Sequence, residues 1–109
     1  MLEARPYTAL ANQKELVFLK ALHSMLEADP VRTREGFSDM MSVAFNAGGL
    51  DARALSDDMG YNFSTVYRWI EGRTAPHPSQ WLQVQAWVRD ALDSHIDALA
   101  AKATELASA

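Results

Sequence analysis

One run, Leu50 to Pro76 (LDARALSDDMGYNFSTVYRWIEGRTAP), limits what this chain can fold into more than any other segment, because it holds two glycine stops at short-helix spacing. Gly60 and Gly72 can enter the left-handed backbone region without a Cβ penalty, as the residue just past a helix C-terminus often must. Each stop follows a polar cap and an apolar stripe. Asp51 is placed to accept from free N–H groups at the start of the first helix, and Leu55 and Met59 lie four apart on one face. Asn62 opens the second helix. There Val66, Trp69 and Ile70 share an inward stripe, leaving Phe63, Ser64, Tyr67 and Arg68 on or near the opposite side. The spacing predicts two short helices joined by a tight turn. Small and polar residues at the N-terminal outer face of the second suit it to a DNA major groove.

The run resembles the lambda-repressor-like, Cro/cI-type (XRE-like) helix-turn-helix family. Leu55, Ser56, Gly60, Asn62, Ser64, Thr65, Val66, Arg68, Trp69, Gly72, Arg73 and Pro76 fall in register with its pattern without a gap. Two positions depart from it. Ser56 replaces the usual small alanine, and Ala52 stands where the family commonly carries a glutamine that touches backbone or base, so one contact of the family is expected to be missing. The match covers about a quarter of the chain and extends to roughly Thr33 through Val88. It implies an all-α fold of about five helices, a double-stranded DNA partner and a homodimer on a two-fold-related operator.

The residue chemistry can be weighed position by position. Arg68 offers a bidentate fork to guanine, and the Ser64 hydroxyl serves bases or phosphates. Phe63 and Tyr67 either touch a thymine methyl or the sugar backbone, or pack on the helix from about Thr33 that braces the pair. Thr65 supports the helix start or donates to a phosphate. Asn62 caps the helix and can also present its amide to a phosphate. Arg73, beyond Gly72, fits a phosphate clamp, and Arg53 is a further candidate. The plain alternative for all of them is an exposed polar face on a fold used to bind protein. Trp69 points inward and is expected in the core.

The flanks read as helices too. From Thr8 to Glu27, Leu16, Leu19, Leu22 and Leu26 recur at three to four residues, with Val17, Phe18 and Met25 widening the stripe until Asp29-Pro30. A second helix from about Thr33 carries Phe37, Met40, Met41, Ala44 and Phe45 and is broken by Gly48-Gly49, so it would brace the pair that follows. Thr74 to Pro78 is a proline-stiffened connector. From Ser79 to about Leu106, Trp81, Val84, Val88, Leu92, Ile96, Leu99, Ala103 and Leu106 form one stripe, with Trp87 at its edge as an interface anchor. Such a helix would extend about 40 Å, longer than one small domain needs. Its distal half therefore calls for a cover, either the N-terminal helix or a second copy. The expected organisation is an N-terminal helix over residues 1–30, a DNA-binding domain over 31–88 and a dimerisation element over 89–109.

Charge runs against the motif. The chain has a formal net charge of −4, and the stretch 51–78 carries three arginines (Arg53, Arg68, Arg73) against four acids (Asp51, Asp57, Asp58, Glu71). Nonspecific affinity for DNA should be weak. Asp90, Asp93 and Asp97 form one acidic helix face, either solvated or a docking face for a basic protein. The chain has no cysteine, which excludes disulfides and thiolate zinc sites and fits a reducing cytoplasm. No apolar run approaches the ~18 residues of a membrane span. His23, His77 and His95 are too dispersed for a metal motif, and no nucleophile triad, phosphate loop or carboxylate pair stands out, so neither a cofactor nor an enzyme is expected. Two functions remain: a sequence-specific transcription regulator, or an acidic helix-turn-helix interaction module of the antiactivator, antitoxin or adaptor kind.

Overall fold

Pro30, the Gly48-Gly49 pair, Gly60 and Gly72 cut the apolar periodicity into the five α-helices found among the described residues, and the all-α fold expected from the sequence is what the computed structural model contains. It describes the backbone of residues 4–108 and the side chains of residues 12–105. The helices are α1 (Ala4–Ala28), α2 (Arg34–Ser42), α3 (Ala52–Met59), α4 (Phe63–Ile70) and α5 (Trp81–Ser108). Helix α1 starts at Ala4, ahead of the Thr8 expected from the pattern. Among the described residues no helix is long and apolar enough to cross a membrane.

Thr33 caps α2, its hydroxyl accepting the Gly36 N–H at 2.9 Å. The apolar pattern predicted one helix running on through Phe45. Instead α2 passes at Val43–Ala47 into a single π-helical turn, closed by the Gly48 N–H on the Val43 carbonyl at 2.8 Å. Ala44 and Phe45 stay buried through that change. Gly48 permits it, because a Cβ there would lie 2.5 Å from the Ala44 carbonyl oxygen.

Helices α1 and α5 run antiparallel, the end of α1 meeting the start of α5 at the buried Gln85. Its amide nitrogen donates to the carbonyls of Leu26 (2.9 Å) and Asp29 (2.8 Å), and its oxygen accepts the Val31 N–H at 2.8 Å. One side chain thus satisfies three main-chain groups where α1 ends, groups that would otherwise lack partners. Leu16, Leu19 and Leu22 then share one core with Val84, Val88, Leu92 and Ile96. Of the two covers expected for α5, the N-terminal helix packs against it within the chain, and Leu99 and Ala103 are half-buried against the same core. Leu106 lies outside the described side chains.

Aromatic contacts seat the helix-turn-helix pair on this frame. Phe37 of α2 meets the Trp69 ring edge-on at a centroid distance of 5.9 Å and stacks with Trp81 at 6.2 Å. Such pairs contribute about 0.5–1.5 kcal/mol beyond the area they bury. The indole N–H of Trp81 donates to the Pro76 carbonyl at 3.1 Å, fastening the connector through a 3₁₀ turn at Pro78–Gln80.

Candidate nucleic-acid interface

Local chemistry fixes both helices of the pair. The Asp51 carboxylate accepts the Arg53 N–H at 2.9 Å at the start of α3, and Gly60 ends that helix at φ 74°. Ser56 is buried, and its hydroxyl donates to the Tyr61 carbonyl at 2.8 Å across the turn. Ser56 thus satisfies a backbone acceptor that an alanine at this position could not reach. Tyr61 packs edge-on against Trp69 at 4.8 Å and donates its hydroxyl to the Gln80 side-chain oxygen at 2.9 Å. The turn is held from both sides.

Asn62 caps α4, its side-chain oxygen accepting from the Ser64 N–H at 3.1 Å and the Ser64 hydroxyl at 3.0 Å. Val66, Trp69 and Ile70 are buried, as the inward stripe predicted. At the far end the Gly72 N–H bonds the Trp69 carbonyl at 3.1 Å and the Arg73 N–H bonds the Arg68 carbonyl at 3.0 Å, with Gly72 at φ 77°. This paired closure is the Schellman arrangement, which needs a left-handed residue at that point.

The outer face carries the residues singled out from sequence. Ser64, Tyr67 and Arg68 are exposed, while Phe63 and Thr65 are half-buried. Among the described residues Arg68 has no hydrogen-bond or ion-pair partner, so its five donors are free for a ligand. Phe63 does not belong to the core cluster. Its ring lies 4.5 Å beneath the Arg53 guanidinium and 6.0 Å from the Tyr67 ring, making one surface unit from the starts of α3 and α4.

Arg73 differs from the simple clamp expected of it. Its guanidinium bonds Glu71, with Nε 3.2 Å from the carboxylate, so part of its charge is already committed. Arg34 of α2 reaches the same place and donates to the Arg73 carbonyl at 3.2 Å. Two guanidiniums therefore stand at the exit of α4. Arg34 gave no sign of this in the sequence beyond its charge, since the contact spans two elements.

The acids find assignments too. Asp51 is a cap, Glu71 pairs with Arg73, and Asp58 accepts the Trp87 indole N–H at 2.9 Å. Trp87 also stacks on Phe45 at 6.2 Å with nearly parallel rings, so the residue expected to anchor an interface between molecules makes contacts inside this one. Asp57, Asp90, Asp93 and Asp97 are exposed. The histidines play local parts: the His23 ring stands 4.0 Å from Glu27, and the His77 ring accepts the Ser79 N–H at 3.2 Å.

No protein-family model matches this chain, and no curated protein or solved structure matches it either.

Proposed function

We propose that this chain is a sequence-specific DNA-binding transcription regulator of the lambda-repressor-like kind, acting as a homodimer on a two-fold-related operator. Each subunit places residues 63–71 in a major groove and so alters polymerase access. One observation carries the reading: α4 is capped by Asn62, closed at Gly72 and seated by Val66, Trp69 and Ile70, so that Ser64, Tyr67 and an unpaired Arg68 face outward together. Arg68 reads a guanine edge, the Phe63 and Tyr67 rings meet thymine methyls or sugars, and the guanidiniums of Arg34 and Arg73 flank a phosphate. Thr65 and Asn62 hold the helix start. The Ser64 hydroxyl, already donating to Asn62, keeps its lone pairs for a donor such as an exocyclic amine.

The net charge of −4, with Arg73 tied to Glu71, favours a second reading in which the same face binds protein. Selection of bound duplexes from a random pool at low salt separates the two. Recovery of one consensus supports the regulator, and failure to retain any duplex supports the interaction module.

A further inference from the structure

We propose that the groove between α1 and α2 is the surface through which two copies of this chain pair about a two-fold axis. The groove encloses about 660 Å³ and is walled by apolar side chains left in solvent. On α1, Met25 at 65% and Phe18 at 39% exposure line it, and Val17, 69% exposed, lies one turn before the lining residue Ala21; just after α2, Val43 at 38% lines it too. Among the described residues these side chains lie outside the buried core cluster and keep more than a third of their surface in solvent. A contiguous patch of this kind marks an association site more often than a bare surface.

Charge selects a second copy as the occupant. The rim carries both signs, Asp29 and Arg32 ahead of α2 and Asp39 within it, with Gly36 between Arg32 and Asp39 also lining the groove. Arg32 and Asp39 are seven residues apart, and among the described residues neither forms an ion pair. A two-fold axis passing at Gly36 lays two α2 helices antiparallel and brings Arg32 of each copy onto Asp39 of the other. The same operation sets the Phe18 and Val43 end of one groove against the Met25 end of its partner. A residue meeting its complement twice across an axis is what an isologous interface requires. The inference deepens the regulator reading by supplying the two-fold that an operator of that symmetry needs, yet it is tested without DNA, so either can fail alone.

Sedimentation velocity of the full chain over a concentration series tests it. The wild-type chain is expected to dimerise, and Val17→Glu with Met25→Glu to sediment as a monomer with its circular dichroism unchanged, because both side chains are mostly solvated already. Arg32→Asp and Asp39→Arg should each weaken the dimer about tenfold through two like-charge contacts. Mixed together, those two variants should recover wild-type affinity, because each contact in the mixed dimer then joins opposite charges. A wild-type chain monomeric throughout the series overturns the proposal, as does a dimer that survives the glutamates or a mixture no tighter than its components.

Discussion

The Trp87 indole N–H donates to the Asp58 carboxylate at 2.9 Å, tying the second turn of α5 to the helix that precedes the turn. Two features that were separate in the sequence, an acid beside a proposed DNA face and a tryptophan at a stripe edge, are one contact. Trp87→Phe keeps an aromatic ring near Phe45 but removes the hydrogen bond together with part of the indole's packing, so it should cost at least about 0.5–1.5 kcal/mol in urea unfolding. Asp58→Asn, which retains an acceptor, should cost less, and a coupling near zero in the double-mutant cycle would show the bond to be idle.

Gln85 joins the N- and C-terminal helices through three main-chain bonds in a buried position. Gln85→Leu has nearly the same volume but leaves one N–H and two carbonyls without their partner. The expected loss is about 2–4 kcal/mol, more than a surface glutamine can give. Thermal or urea denaturation reads it directly, and a loss no larger than that of a neighbouring exposed substitution would contradict the role assigned to Gln85.

The glycines separate backbone strain from collision. At Gly60 and Gly72 an added Cβ meets nothing within 4 Å, but both residues have positive φ, so alanine at either should cost only the left-handed penalty of about 1–2 kcal/mol. Gly48 has ordinary φ but no space. Gly48→Ala should destabilise more than either, since the new Cβ meets main chain rather than a flexible side chain. Equal melting shifts for all three would contradict this ordering.

What was legible in the sequence was whatever depends on near neighbours in the chain. The caps Asp51 and Asn62, the stops Gly60 and Gly72, and the buried Val66, Trp69 and Ile70 follow from spacing and local bonding, and the structure has them all. The π-turn at Val43–Ala47 was not readable, because its apolar residues fit a continuous α-helical phase equally well. Nor were Arg53 over Phe63, Arg34 at the Arg73 carbonyl, or Gln85 beneath α1, all of which join residues from different elements. The length of the α5 stripe was read correctly, but periodicity cannot say which surface covers it, and α1 does.

Glu71 restrains Arg73, and few other cations stand near α4, so DNA binding by the wild-type chain should show a shallow salt dependence. The slope of log affinity against log salt should correspond to about four or fewer phosphates per subunit. Glu71→Gln frees the Arg73 guanidinium and removes a negative charge. It should raise affinity for all duplexes alike and steepen the slope by about one phosphate. Titrations at several salt concentrations measure both effects, and an unchanged slope would mean that Arg73 does not reach DNA.

Arg68 is exposed on the outer face of α4 and, among the described residues, unpaired. The direct measurement is affinity of wild type and Arg68→Ala for the preferred duplex and for a panel of its single-base variants. Arg68→Ala should keep the helical spectrum and melting of the wild type, lose about 1–3 kcal/mol on the preferred duplex, and no longer discriminate at one guanine-bearing position. Equal affinity of the two proteins across the whole panel would contradict the claim that this face reads DNA sequence.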